Sequence, residues 1–377
     1  MTLPAGSADQ RFAAVREAFA ENFDDGELGA SCCVIVGGTT VVDLWGGWAD
    51  GARTRPWRAD TLCNAYSVGK PLVALSVLQQ VATGRVDLDA AADRSWPGLI
   101  AGQRGATVRH ALSHQAGVPA IREPLTNDDL WVWDRMAAAV AGTEPWWEPG
   151  TRHAYHTNTY GHLVGELGRR LTGLLPGDWL RTTVAGPLGA DVHWGVTDTD
   201  LDRCAEVVWE LPVAPPAAAP AVLDGLPEER RMVLLGYTNP PGYSSMGVMN
   251  TLEWRQAQVP STNLHASARG IARSYQGLLA GDLLDADVLA EATSVQSEGW
   301  CPVLERDAAF GLGFQPTRPE RQLGPNPRSY GHFGTGGALG FADPDAGVAF
   351  GYVMNAVKPR WQSTRNRRLI EAVYSCL

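Results

Sequence analysis

The position of the strand-forming segments limits this chain to few architectures. Residues 30–38 (ASCCVIVGG) and 39–47 (TTVVDLWGG) are apolar and rich in β-branched residues, and they meet at Gly37-Gly38, a hairpin signal. Residues 337–344 (GALGFADP) and 347–355 (GVAFGYVMN) form a second pair around the turn Asp343-Pro344-Asp345-Ala346-Gly347. Between the two pairs the apolar period lengthens to threes and fours. The spacing predicts helices over 67–83, with Gly84 as the stop, and over 105–116, 158–172 and 264–280. Further helices are expected around Phe12, Val15, Phe19 and Phe23 and through about 361–375. Strands at both ends with helices between imply an α+β fold: one antiparallel sheet built from both termini, flanked by helices. On this reading residues 1–62 and 255–377 form the sheet domain. Residues 63–254 form an inserted helical domain, with the active site in the cleft between them. The segment 213–223 (VAPPAAAPAVL) reads as a linker or surface loop.

Composition removes several functions. The formal net charge of -10 opposes binding to a phosphate backbone, which must be neutralised by Lys and Arg. No apolar run approaches the roughly 20 residues needed to span a bilayer. The first residues lack the basic and apolar regions of a secretory signal, so the expected location is the cytoplasm. Six cysteines, Cys32, Cys33, Cys63, Cys204, Cys301 and Cys376, show no metal-ligand spacing and read as buried free thiols. His153 and His156 lack the H-E-x-x-H arrangement of a helical zinc site, and no metal or other cofactor is called for.

Three stretches carry chemistry. In Tyr66-Ser67-Val68-Gly69-Lys70-Pro71, Ser67 and Lys70 share one helix face, with Cβ atoms about 5–6 Å apart. A serine hydroxyl needs a base to become a nucleophile, and lysine can be that base once desolvation lowers its pKa. Pro71 lacks a backbone N–H and belongs in a first helical turn, which puts Ser67 where unpaired amides favour an oxyanion. The Pro149-Gly150 turn then delivers Tyr155, a candidate proton shuttle, followed by His156, Thr157 and Asn158. Trp146 and Trp147 stand beside it, as acyl-pocket walls or as surface packing. Last, Gly331-His332-Phe333-Gly334-Thr335-Gly336-Gly337 precedes a strand, and its glycines allow close backbone approach.

These three stretches together resemble the serine β-lactamase and penicillin-binding protein superfamily, in which S-x-x-K is paired with a Lys-Thr-Gly element. The similarity is greatest to its class C β-lactamase branch and, within that, to the family VIII carboxylesterases. Matching stretches at 112–117 (LSHQAG), 263–269 (NLHASAR) and 340–344 (GFADP) extend it over nearly the whole chain. The resemblance implies a β-lactamase/transpeptidase-like fold. It makes Ser67 the nucleophile, Lys70 the base and Tyr155 the proton-transfer partner, with the backbone N–H groups of Ser67 and Thr335 as oxyanion hole. Thr157, His332, Phe333 and Gly334 become substrate-binding residues, and His114 a loop-fixing one. Two departures stand out: Thr157 replaces the family asparagine, and His332 replaces the lysine. Both weaken a β-lactamase reading and leave acyl transfer intact.

The expected activity is therefore a serine hydrolase that forms an acyl-enzyme, a carboxylesterase acting on small or medium esters. The alternative is an acyltransferase that passes the acyl group of its small-molecule substrate to an amine or alcohol. A non-catalytic binding protein on the same fold is disfavoured because Ser67, Lys70 and Tyr155 are all present. The missing Gly-x-Ser-x-Gly elbow counts against an α/β-hydrolase fold.

Overall fold

Seven strands from the two ends of the chain build one fully antiparallel sheet in the computed structural model, which describes residues 4–209, 223, 225–358 and 363–377. The strands of this sheet are β1 (Ala5–Ala8), β2 (Gly29–Val36), β3 (Thr39–Gly47), β4 (Gln315–Pro316), β5 (Tyr330–Phe333), β6 (Leu339–Asp343) and β7 (Val348–Met354). Their spatial order is β1-β3-β2-β7-β6-β5-β4. The two ends of the chain join where β2 pairs with β7, from Val36 opposite Val348 to Ala30 opposite Met354. Gly37 and Gly38 both take positive φ, 54° and 81°, as the predicted two-residue hairpin requires. At the second turn the Asp343 carboxylate accepts hydrogen bonds from the amides of Asp345 (2.9 Å) and Ala346 (3.2 Å).

The principal helices are α1 (Ala13–Asp24), α2 (Gly69–Ala82), α3 (Thr159–Thr172), α4 (Glu228–Thr238), α5 (Ala268–Leu279) and α6 (Thr364–Ser375). Every residue of β7 is buried because helices cover both faces of the sheet centre. On one face Gly340 and Gly351 sit side by side across the β6–β7 pair and leave a bare strip for α5. A Cβ on Gly351 would lie 2.2 Å from the Ala268 carbonyl oxygen, and one on Gly340 would lie 2.5 Å from the Tyr275 ring. On the other face α1 and α6 pack together. Here Arg365 donates to the Glu27 carboxylate at 2.7 Å, with both side chains fully buried, and the Tyr352 hydroxyl donates to the same carboxylate.

Helix ends follow local capping. The expected 264–280 helix begins only at Ala268, because the Ser267 hydroxyl accepts from the Gly270 amide and caps it. Residues His265–Ala266 instead form a short strand against Cys63–Asn64. Likewise the 105–116 helix shrinks to Val108–Leu112, capped by Thr107. Ser363 caps α6, and residues 361–362 of the expected last helix lie outside the described residues. The same holds for 213–222 of the linker-like segment. All six cysteines are free, and five of them are buried. No helix among the described residues is long and apolar enough to cross a membrane.

The buried Glu27–Arg365 pair yields a stability prediction. Burial pushes the Glu27 carboxyl up to about 7, against the pull of Arg365. Its protonated form therefore suits the fold, and that contribution is complete below about pH 4.5 and lost as pH rises toward 7. Removing the cation by Arg365→Met should lower unfolding free energy by about 3–5 kcal/mol at pH 8. Relative to wild type, the loss should be smaller at pH 5, where Glu27 takes up a proton; urea titrations of both proteins at the two pH values measure it.

Candidate active site

Ser67 lies where the β5 end of the sheet meets the helices. The strand Cys63–Asn64 is held by His265–Ala266, and the Ala65 amide donates to the Leu264 carbonyl at 2.7 Å. Tyr66 then takes φ +53°, a left-handed conformation unusual for a bulky residue, and turns the chain sharply. Ser67 occupies the single 3-10 turn Tyr66–Val68 that leads into α2, so the expected helix start at 67 becomes a tight turn with α2 beginning at Gly69. Pro71 falls in the first turn of α2, as its missing N–H requires.

Lys70 is completely buried. Its Nζ stands 3.0 Å from Ser67 Oγ, 2.7 Å from the Thr157 carbonyl oxygen and 3.1 Å from the Ser261 carbonyl oxygen. Burial drives its pKa well below the usual lysine value. A neutral amine has two N–H donors and one lone pair. The two carbonyls take both donors, which leaves the lone pair to accept from the Ser67 hydroxyl. Two glycines make this possible. A Cβ on Gly69 would stand 2.7 Å from the Pro260 carbonyl oxygen, and one on Gly161 would stand 2.5 Å from the Ser261 amide. Their bareness lets the 260–261 loop press against both α2 and α3.

Tyr155 is buried, with its ring 4.8 Å from Lys70 Nζ. Burial pushes its phenol well up, and a hydrogen bond with Ser67 pulls the other way. Its ring is fixed on three sides: stacked on Phe310 at 5.7 Å and 10°, tilted against His114 at 5.0 Å, and stacked on His332 at 6.1 Å. Its amide donates to Cys301 Sγ at 3.2 Å. The loop is clamped further by His114 Nδ1, which accepts from the His156 amide at 3.1 Å, and by His156 Nε2, which accepts from the Val118 amide at 3.2 Å.

Beside Ser67, the close approach of the third stretch depends on Gly334, whose Cβ would stand 2.3 Å from the Ala65 carbonyl oxygen. Thr335 follows it, and the backbone N–H groups of Ser67 and Thr335 make no hydrogen bond to another described residue. Thr157 reaches Lys70 through its carbonyl. Asn158, next after Thr157, is buried and donates to the Gly236 carbonyl (2.7 Å) and the Ser244 hydroxyl (2.8 Å). Phe333 is buried beneath the Arg321 guanidinium, 4.5 Å from its ring centroid. Burial and the charge of Arg306 lower Arg321 to about 9. Trp146 donates to the Ala120 carbonyl at 2.8 Å under the Arg122 guanidinium, which lies 3.6 Å from its ring centroid. Trp147 makes an edge contact with His156 at 6.1 Å.

Sequence reasoning missed Ser261, Cys301, Phe310, Arg306 and Arg321. Ser261 acts through a backbone carbonyl, which leaves no trace in residue type. The other four sit in irregular or hairpin segments with no motif.

A lysine desolvated beside a serine at a strained turn before a helix defines a serine acyl-transfer fold of the penicillin-recognising kind. The comparisons agree. The profile of the Beta-lactamase family matches residues 12–375, and the chain belongs to that family. It is 31% identical over 367 residues, 93% of this chain and 82% of the relative, to "Esterase/beta-lactamase LipL" of Mycobacterium tuberculosis (strain ATCC 25618 / H37Rv). Among solved structures it superposes on a family VIII carboxylesterase with a TM-score of 0.90, at 36% identity over 99% of this chain and 100% of the other. A penicillin-binding protein homologue from Caulobacter crescentus gives a TM-score of 0.89, also at 36% identity and with the same coverage.

The histidines of this region predict acid sensitivity. Burial holds His114 and His332 well below 6.5, His156 at about 4, and His162 and His265 at about 3. A histidine depressed in the fold contributes stability that is present above about pH 6.5 and lost as pH falls through the folded value. Five such groups outweigh the opposite sign of Glu27. The urea midpoint of the wild-type protein should therefore fall markedly between pH 7 and pH 5; an unchanged or rising midpoint contradicts the neutral-histidine packing.

Proposed function

We propose that this protein is a serine carboxylesterase that forms an acyl-enzyme on Ser67. The observation that carries the reading is the environment of Lys70: a dry amine, its two protons directed at the Thr157 and Ser261 carbonyls, its lone pair directed at Ser67 Oγ. Ser67 attacks the ester carbonyl as Lys70 takes its proton. The developing oxyanion is met by the amides of Ser67 and Thr335, a contribution of about 10²–10³ in rate per donor. Tyr155 is a neutral phenol in contact with Ser67. It relays the proton from Lys70 to the leaving alcohol and, in the second half-reaction, helps to draw a proton from water. Support comes from the family VIII carboxylesterase likeness and from the esterase naming of the mycobacterial relative.

Transfer to an alcohol or amine is the second reading. It is favoured by 29% identity over 163 residues, 36% of this chain and 38% of the relative, to "Monacolin J acid methylbutanoyltransferase" of Aspergillus terreus. The two readings share every step up to the acyl-enzyme and differ only in which nucleophile releases it.

Two measurements test the proposal. A serine-reactive phosphonate should label Ser67, and Ser67→Ala should lower p-nitrophenyl butyrate turnover by several orders of magnitude. Label on another serine, or near-wild-type turnover in the variant, removes Ser67 from the mechanism. Nitrocefin should be opened at least tenfold less efficiently, in kcat/KM, than p-nitrophenyl butyrate is hydrolysed. The reason is that His332 is neutral and Thr157 offers no side-chain amide; equal or faster nitrocefin turnover contradicts this.

A further inference from the structure

We infer that Ser261, Thr262 and Asn158 are positioning residues whose side chains latch the Thr157 and Ser261 carbonyls onto the Lys70 amine. The inference rests on the reading of Lys70 as the base for Ser67 and names the side chains that keep it in that state. The two carbonyls stand 2.7 and 3.1 Å from Lys70 Nζ, and neither residue lies in a helix or strand that would hold its carbonyl in place. Two side-chain hydrogen bonds join the segments instead. Gly161 is the third residue of α3, so its amide is one of those that a helix start leaves without an internal partner. Ser261 Oγ accepts from it at 2.5 Å. The carbonyl four residues back, which would take that amide were the helix longer, is that of Thr157, and it serves Lys70. The second bond runs from Thr262 Oγ1 to Asn158 Oδ1, at 3.3 Å. Thus the residue after each clamping carbonyl bonds the residue after the other.

All three side chains are buried, and among the described residues none of them bonds to Lys70 or Ser67; they act through the backbone they hold. The same turn is tied to the nucleophile, because the Thr262 carbonyl accepts from Asn64 Nδ2 at 3.1 Å, three residues ahead of Ser67. Its base is fixed as well, by the Thr262 amide donating to the Val259 carbonyl at 2.8 Å and by Asn263 Nδ2 donating to the Trp254 and Ala257 carbonyls. If the latch opens, water reaches the amine and stabilises its charged form, and the pKa climbs back toward the ordinary lysine value. The titratable groups that face Lys70 are Tyr155, its ring 4.8 Å from Nζ, His156 from the same loop, His114, and His332 from β5. Burial disfavours charge on all four, and the 260–262 segment carries no titratable side chain. A comparison between pH 6.5 and pH 8.5 therefore reads the protonation of the amine.

The test measures how fast a serine-reactive phosphonate inactivates the intact protein at those two pH values, corrected for spontaneous hydrolysis of the reagent. Ser261→Ala and Thr262→Val each remove one hydroxyl and leave both carbonyls in the chain. Each should raise the ratio of the rate at pH 8.5 to that at pH 6.5 by about threefold or more over wild type, the effect of a half-unit rise in the amine pKa within that window. Thr262→Ser keeps the hydroxyl and should stay within about 1.5-fold of the wild-type ratio. Equal losses at both pH values mark a merely structural role and overturn the inference. So do unchanged rates in both variants, or a Thr262→Ser that behaves like Thr262→Val. Urea titration at each pH shows which variants are folded, and the Thr262 pair carries the test should Ser261→Ala fold poorly. In the wild type itself the Gly161 amide should exchange its hydrogen as slowly as amides in the middle of α3. Exchange as fast as at an exposed helix end overturns the latch whichever variants fold. Phosphonate on a serine other than Ser67, or wild-type turnover in Ser67→Ala, removes the esterase reading and the latch with it. Label on Ser67 with ratios that the variants leave unmoved removes the latch alone.

Discussion

Everything in the site depends on keeping one lysine dry. An amine of ordinary pKa is protonated near neutral pH and cannot take a proton from serine. Burial removes the water that would stabilise its charge, and the two carbonyls at 2.7 and 3.1 Å satisfy the neutral amine's donors. Those carbonyls come from opposite sides, Thr157 from the loop that leads into α3 and Ser261 from the loop ahead of α5. Meeting at Lys70 forces α2, α3 and the 260–261 loop into contact. Gly69 and Gly161 are the positions where that contact leaves no room for a side chain.

A second layer holds Tyr155 still. Its neighbours are rings rather than ions: Phe310, His114 and His332, with Cys301 accepting from its backbone amide. His114 is itself in a left-handed conformation, φ +65°, which aims its Nδ1 at the His156 amide. Neutral histidines suit this place because they pack like aromatic residues and still accept hydrogen bonds from backbone amides that would otherwise be buried unpaired. The same burial that lowers the Lys70 pKa disfavours charge on these rings. Basicity in the site and acid sensitivity of the fold thus share one cause.

Much of this was legible in the residues. Ser67 and Lys70 at three-residue spacing with Pro71 behind them marked the candidate nucleophile and base, and the paired strand segments at both ends marked the sheet. Each depends on local chemistry: helical periodicity, turn preference, strand alternation. Tyr155 and the His332–Thr335 stretch were recognised through motif order and resemblance. The start of α5 was misplaced because the apolar pattern runs through His265 and Ala266, which pair with Cys63–Asn64 while Ser267 caps the helix. Thr157 drew attention for its side-chain type, while the contact it makes with Lys70 is through its carbonyl, which residue type does not mark.

What the sequence by itself determined, then, is the adjacency of Ser67 and Lys70, the family and the sheet made from both ends, because those follow from spacing and residue type along the chain. Only the tertiary structure decided which atoms meet in the site: the carbonyl of Ser261, the sulfur of Cys301, the Phe333 carbonyl against His332 Nδ1 and the guanidinium of Arg321 over Phe333. The carbonyl is identical in every residue, so composition does not mark it. A ring contact depends on which oxygen lies across from the nitrogen, and a lowered lysine pKa depends on how completely water is excluded. Those are properties of packing between segments far apart in the chain, and they arise only once the chain has folded.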